Sequence, residues 1–353
     1  VKIGIFSKVG ANGGSEHRVA ELATGIAQYS QHEPFILCED TLNKFFYDRV
    51  DSKVQIIPHI FKPTPTNVDY LYKMDRLLIV NSDSHSFSKL KYWEGETEHH
   101  NVCVDVSKIP QMTFLYNFVI SPAQNLYKIA EKCPDIRIIS TNKSFFGQLN
   151  DKEKFRNVRR LPRFILNSPI DLNRISTEKT PRTKIRIGKH SKAHSYKWNT
   201  ESVDLIHAIN KDYYDIIEWD FLGVPSKFIK DIEHIKNVTI RKEYSIDVKE
   251  YLKGIDIFLF FVTWKRAEPW SRSVAEGMAS GCPILATDKE GNKDQVIHGN
   301  NGYLCNTTKE FEIYLKHLIE NPHIIKEMGR NNILYSQSFK TEKIVRDFLD
   351  IIQ

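Results

Sequence analysis

Apolar residues are distributed along this chain in two ways. In some stretches they form short unbroken runs rich in β-branched residues: KIGIF (2–6), FILC (35–38), VQII (54–57), LLIV (77–80), VCV (102–104), MTFL (112–115) and IRII (136–139). Such runs predict strands buried on both faces. Between them the apolar residues spread out to helical spacing. After Gly14, for instance, Val19, Leu22, Ala23 and Ile26 fall at i, i+3, i+4 and i+7, which gives a helix one face to lay against a sheet. Strands alternating with amphipathic helices predict an α/β fold built on parallel sheet.

The alternation pauses over LPRFILNSPIDLNRISTEKTPRTK (161–184), a stretch of proline, polar and turn residues that reads as a linker. It restarts at IRIG (185–188) and continues with strands predicted at EWDFL (218–222), VTIR (238–241), DIFLFF (256–261) and PILA (283–286). Helices are predicted at about 200–210, 226–234, 247–253 and 270–280, with a helical tail from about 308 whose last helix opens at Thr341 and Glu342. The chain therefore divides into domains at 1–170 and 171–335, with a final helix, 336–353, expected to return to the first domain. Two doubly wound domains of this kind bind ligands at the carboxyl edges of their sheets, in a cleft between them.

Composition narrows the class. With 353 residues, 41% hydrophobic and 27% charged, the chain is an ordinary globular one with room for two cores. Its five cysteines, Cys38, Cys103, Cys133, Cys282 and Cys305, form no CxxC pair and lie in or beside apolar runs, which points to reduced, buried thiols and a cytoplasmic location. No apolar stretch approaches the roughly 18 residues of a membrane span, and the chain opens on a strand rather than a signal peptide. A net charge of +6 favours anionic partners such as phosphates without choosing among them. The densest basic run, KEKFRNVRRLPR (152–163), reads as a solvated helix face or as a surface for a polyanion.

Two stretches carry chemistry. The first strand is followed by SKVGANGGSEHRVAEL (7–22), where Gly10, Gly13 and Gly14 allow close backbone approach to a ligand at a helix N-terminus. The spacing is not G-x-G-x-x-G, since Asn12 and Ser15 occupy two of its positions, and a tight turn that needs glycine is the alternative reading. The acids after the second strand, Glu39 and Asp40, stand where a ribose-binding carboxylate would sit. The second stretch is AEPWSRSVAEGMASGCPILATD (267–288). Pro269 suits the first position of a helix and Gly281 its end. Backbone N–H groups near Ser271, Arg272 and Ser273 would then face an anion such as a diphosphate. Glu268 and Glu276 would flank that anion and accept hydrogen bonds from vicinal hydroxyls, a sugar at one end and a ribose at the other.

The interval from Glu268 to Glu276 resembles the E-x7-E motif of retaining glycosyltransferases with the GT-B fold, family 4 in particular. GCPILATDKEGNKDQVIHGNNGYLC (281–305) is similar to the run that follows that motif, with Asp294 where a glutamate is usual. GGSEHRVAELATGI (13–26) is similar to the family's N-terminal G-G-x-E-R segment, and LNSPID (166–171) to its N-P-x-D linker. The resemblance implies a GT-B fold of two Rossmann-like domains facing across a cleft. It implies a nucleoside-diphosphate sugar as donor, UDP-sugar first among them, no cofactor and no metal; no Asp-x-Asp occurs in the chain. Residue by residue, it assigns Glu268 to the transferred sugar, Glu276 to the nucleotide ribose, and Gly13 and Gly14 to the diphosphate. The family's basic pair, G-R-x4-K, corresponds to GKHSKAHSYKW (188–198): Lys189 replaces arginine, Lys197 arrives three residues late, and Lys192 could serve instead. Lysine lacks the planar fork of arginine, so bidentate phosphate binding is not expected at Lys189.

The acceptor is left open between two classes. A carbohydrate or lipid-linked glycan is one. The layout of DRLLIVNSDS (75–84) and TFLYNF (113–118) is also somewhat similar to phage glucosyltransferases that modify hydroxymethylated bases in DNA, which would place the enzyme in a host cytoplasm. His99, His100, Asn117, Arg159 and Arg160 are the acceptor-side candidates. The two histidines lack the acidic neighbours of a metal site. A nucleotide-sugar epimerase, a dehydrogenase and a non-catalytic binding module are the rival readings. The epimerase would need acid/base residues that the E-x7-E match does not supply, the dehydrogenase needs the fingerprint that the first turn lacks, and both glutamates with two candidate lysines count against a non-catalytic module.

Overall fold

The computed structural model describes residues 1–7, 14–38, 44–60, 65–80, 106–116, 133, 135–144, 146–147, 162–198, 200–263 and 269–353. They form two compact units, Val1–Pro169 with Thr341–Gln353, and Ile170–Lys340.

The first unit is built on a seven-stranded sheet: β1 (Lys2–Ser7), β2 (Glu33–Cys38), β3 (Gln55–Ile57), β4 (Arg76–Val80), β5 (Gln111–Tyr116), β6 (Asp135–Ser140) and β7 (Arg163–Ile165). Their order is β3-β2-β1-β4-β5-β6-β7 and all neighbours are parallel. Sequence order reverses at β1, the switch point of a doubly wound sheet. Helix α1 (Gly14–Tyr29) follows β1 and buries Val19, Leu22, Ala23 and Ile26, the face its spacing predicts. Short helices α2 (Lys44–Tyr47) and α3 (Pro65–Tyr72) link later strands.

β7 corrects the reading of 161–184 as wholly irregular. Pairing decides it: Ile138 donates to the carbonyl of Pro162 and Leu166 to that of Ser140. A proline ahead of an edge strand removes no ladder bond. Arg163, the last cation of the basic run, is consequently in a strand, its guanidinium 5.6 Å from the Phe146 ring centroid. Residues 152–161 of that run, with Arg159 and Arg160, lie outside the described residues.

The second unit has a six-stranded parallel sheet ordered β10-β9-β8-β11-β12-β13. The strands are β8 (Ile185–His190), β9 (Ile217–Leu222), β10 (Val238–Arg241), β11 (Ile257–Phe260), β12 (Ile284–Thr287) and β13 (Gly302–Cys305). The helices between them are α4 (Thr200–Tyr213), α5 (Ser226–Ile232), α6 (Val248–Lys253), α7 (Arg272–Ala279) and α8 (Glu290–Gln295). Helices α9 (Thr308–Glu320) and α10 (Pro322–Ser336) follow β13. Each face of the sheet carries its own core. Ile257 and Leu259 of β11 join Trp219 and Phe221 on one side, while Phe258 and Phe260 join Val274 and Met278 of α7 on the other. This period-2 alternation between two apolar cores is why the strand reads as a continuous apolar run. β13 escapes the sequence reading because it is short and opens on Gly302. A Cβ there would stand 2.1 Å from the Ile284 carbonyl oxygen, so glycine lets the edge strand close on β12.

The last helix, α11 (Thr341–Ile352), packs in the first unit against α1. Ile344, Val345, Phe348, Ile351 and Ile352 are buried in the core that holds Ile3, Ile5 and Val19. Gly25 of α1 permits the approach, since a Cβ there would lie 2.6 Å from side-chain carbons of Thr341 and Val345. The helix ends on two cations: Arg76 Nε donates to the Ile352 carbonyl at 3.0 Å and the Arg137 guanidinium to that of Ile351, the sign a helix C-terminus favours.

Cys38, Cys133, Cys282 and Cys305 are buried free thiols, and burial pushes those of Cys133 and Cys305 up in pKa. Among the described residues no helix is long and apolar enough to cross a membrane.

Candidate active site

In the second unit the chain order reverses at β8, whose neighbours are β9 and β11. Loops diverge at such a point and leave room for a ligand at the carboxyl edge. The residues gathered there come from the end of β8 and the segment after it, from the end of β11 and from the start of α7.

Lys189, next to last in β8, is wholly buried. Its Nζ donates to the Phe261 carbonyl at 3.1 Å and stands 4.8 Å from the centroid of the Phe260 ring. Lys197 ends a 3-10 turn, Ser195–Lys197, that is tied to the end of β11 by the Thr263 N–H bonding the Tyr196 carbonyl. Its Nζ lies 5.1 Å from the same Phe260 ring. Two cations thus converge on one aromatic face donor, each gaining from the ring quadrupole. Lys192 is half-buried in the loop between them.

Helix α7 is aimed by polar contacts at its start. Its N-cap is Ser271, whose Oγ accepts from the Val274 N–H at 3.3 Å and lies 3.2 Å from the Ser273 hydroxyl. This corrects the expected start at Pro269: the helix begins at Arg272, because the serine side chain satisfies the first turn. It also withdraws one of the three expected N–H groups. The Ser271 N–H donates to Gln295 Oε1 at 2.9 Å, and Gln295 Nε2 returns a bond to the Ser271 carbonyl at 2.8 Å. The first-turn positions left to face an anion are Arg272 and Ser273. Gln295, fully buried in α8, was not foreseen; the neighbouring Asp294 was, and its backbone carbonyl accepts from Tyr335 Oη at 2.9 Å. Gly277 brings α7 onto the sheet, since a Cβ there would lie 2.9 Å from Phe258 Cγ.

Glu276 is buried in the second turn of α7. Arg272 Nε donates to its Oε1 at 2.8 Å, and His190 Nε2 of β8 lies 3.3 Å from Oε2. The carboxylate thus lies between a guanidinium and an imidazole, a hydrogen-bond acceptor at the sheet edge. His190 itself is driven the other way: burial first, then the charges of Lys189 and Arg272, lower its pKa to about 3 and keep it neutral. Strand alternation could have found it, since the residue after Lys189 must face the opposite side, where α7 packs.

The structure thus brings Lys189, Lys197, Ser271, Arg272, Ser273 and Glu276 to one sheet edge. Glu268, Gly13, His99, His100 and Asn117 lie outside the described residues, as do Glu39 and Asp40, while Gly14 is the first residue of α1. Among the described residues no group of three or more histidine, cysteine or acidic side chains is arranged to hold a metal ion.

The same part of the chain is recognised by comparison. Residues 225–335 match the family model described as glycosyl transferases group 1. Along its length the chain is 23% identical to an uncharacterized glycosyltransferase of Haemophilus influenzae, in an alignment 376 positions long that covers 99% of each protein. Its fold is similar to that of Anabaena HepE in complex with UDP-glucose, with a TM-score of 0.72 at 14% identity over 99% of both chains. It is similar also to WaaG, a glycosyltransferase involved in lipopolysaccharide biosynthesis, with a TM-score of 0.69 at 13% identity over 100% of both. The architecture is GT-B, and the match to the group 1 glycosyl transferase model falls within its second unit.

Proposed function

We propose that this protein is a retaining glycosyltransferase that moves a sugar from a nucleoside-diphosphate sugar, a UDP-sugar in the first instance, to a hydroxyl of a carbohydrate or lipid-linked glycan. The observation that carries the reading is the convergence at one sheet edge of two lysines on Phe260, the start of α7 and the buried carboxylate of Glu276. Cations and first-turn N–H groups suit a diphosphate; a carboxylate beside them suits vicinal hydroxyls.

In the reaction the bond from the anomeric carbon to the diphosphate oxygen breaks, with negative charge growing on the leaving nucleoside diphosphate. Lys189, Lys197 and the start of α7 stabilise that charge without a divalent cation, in a site where fixed dipoles need no reorganisation. The acceptor hydroxyl attacks the oxocarbenium-like sugar on the face the diphosphate leaves, and its proton passes to a phosphate oxygen. Glu268 holds the sugar's hydroxyls and Glu276 the ribose.

The test measures nucleoside diphosphate release from a panel of nucleotide sugars, with and without glycan acceptors and hydroxymethylated duplex DNA, in the presence of a strong chelator. Turnover with a glycan under chelation is expected. Turnover only with DNA would move the acceptor class, and activity that returns only with added magnesium or manganese would overturn the metal-free account. In the same assay Glu268→Gln should abolish transfer while UDP affinity changes by less than about threefold, because only the sugar loses its partner. An equal loss of UDP affinity would place Glu268 elsewhere.

A further inference from the structure

Glu276 is approached by two elements. Arg272 reaches Oε1 from one turn earlier on α7, and His190 faces Oε2 from the end of β8 at 3.3 Å. Along β8, side chains alternate between faces. Gly188 and His190 share the face of α6 and α7, and Gly188 leaves room there for Tyr251 and Ile255. The imidazole stands edge-on to Phe258, with centroids 5.3 Å apart at 67°, and to Tyr251, 6.0 Å apart at 80°. Turning it away would displace two buried aromatic rings.

Nε2 of His190 is buried and has no partner in good hydrogen-bond alignment, whereas buried polar atoms are as a rule paired. Its polar edge points at a carboxylate that Arg272 already engages. The ring is neutral, for the reasons of burial and neighbouring charge given above. A neutral imidazole carries one N–H, and opposite a carboxylate oxygen the tautomer that avoids lone-pair repulsion places it on Nε2.

We propose that His190 is a positioning residue for donor binding: its Nε2–H steers Oε2 of Glu276 so that the carboxylate is presented to the vicinal ribose hydroxyls of the nucleotide. A neutral donor suits this task because it fixes direction without cancelling the negative charge that makes the carboxylate a strong acceptor. The inference rests on the assignment of Glu276 to the ribose.

The test compares UDP with 2′-deoxy-UDP by calorimetry on the full chain, as wild type and as the variants Glu276→Ala, His190→Phe and His190→Gln. Wild type should prefer UDP by about tenfold, the value of one hydroxyl bond to a charged acceptor. Glu276→Ala should erase that preference. His190→Phe keeps a ring and removes the donor, so the preference should fall to about twofold or less while 2′-deoxy-UDP binds as before. His190→Gln, whose amide reaches as far as Nε2, should restore it. A purely structural role would weaken both nucleotides alike in His190→Phe and leave their ratio intact. If the phenylalanine variant melts early, His190→Leu takes its place. An unchanged ratio in the donor-less variant, with Glu276→Ala losing its own, overturns the positioning role alone. A ratio kept in Glu276→Ala, or absent from wild type, overturns the assignment of Glu276 to the ribose and this inference with it.

Discussion

Helices α7 and α11 each complete one of the two units, and they are held by different physics. α11 is a twelve-residue helix whose grip is apolar: Ile344, Val345, Phe348, Ile351 and Ile352 enter the first core, with Gly25 making room. Apolar burial is proportional to area and indifferent to direction. α7 is eight residues long, buried from Val274 to Ala279, and its start is pinned by the Ser271 cap and the paired bonds of Gln295. Hydrogen bonds are directional. A helix that only closes a core can rely on area, whereas one that presents Glu276 and two first-turn positions to a ligand has to be aimed.

The largest expected effect breaks the comparison on the apolar side. Deleting residues 341–353 removes five buried side chains worth roughly 1.5–3 kcal/mol each, as much as the about 5–15 kcal/mol that holds a typical domain. The first unit should unfold while Ile170–Lys340, with its own two cores, stays protected in limited proteolysis. Survival of the first unit would mean that α11 is an accessory.

A smaller loss is expected on the polar side. Gln295→Ala leaves the buried N–H of Ser271 without a partner, while the Ser271 carbonyl keeps the bond from the Ala275 N–H, and should cost about 2–3 kcal/mol in urea denaturation. It should also weaken UDP binding, because the start of α7 loses its aim. Loss of stability with UDP affinity unchanged would show that Gln295 supports the fold without directing the site.

The smallest effect separates the two helices by pH. Unfolded histidine takes a proton below about pH 6.5, while folded His190 stays neutral down to about 3. Stability from this group is therefore complete above pH 6.5 and declines as pH falls, by about 2 kcal/mol between about pH 6.5 and 5. Denaturation of wild type and His190→Phe across that range should show a shallower slope in the variant. Equal slopes would place the titrating group elsewhere.

Much of the architecture was legible in the residues. β1 to β6 and β8 to β12 follow from unbroken apolar runs, with the run at 102–104 outside the described residues, and α1 follows from Val19, Leu22, Ala23 and Ile26. β7 and β13 were not legible, since each is short and defined by the neighbour it pairs with rather than by its own apolar content. At the site, Glu276, Lys189, Lys197 and Ser271 could be singled out by type and spacing. Gln295 could not, because its importance lies in what it touches, and His190 was passed over although the alternation of β8 turns it toward α7.

Periodicity determines most of the strands and helices and which of their faces are apolar, because each of those properties is set within a few residues of chain. Motif spacing likewise determines that carboxylates, lysines and a helix start occur in an order suited to a nucleotide sugar. What only the tertiary structure decided is which groups meet. It buried Lys189 against the Phe261 carbonyl, handed the Ser271 N–H to Gln295 rather than to a ligand, and placed a neutral imidazole 3.3 Å from Glu276. Those contacts join residues 24 to 86 positions apart in the chain, and directional, short-range interactions between such distant groups depend on how whole elements pack, which no local pattern records.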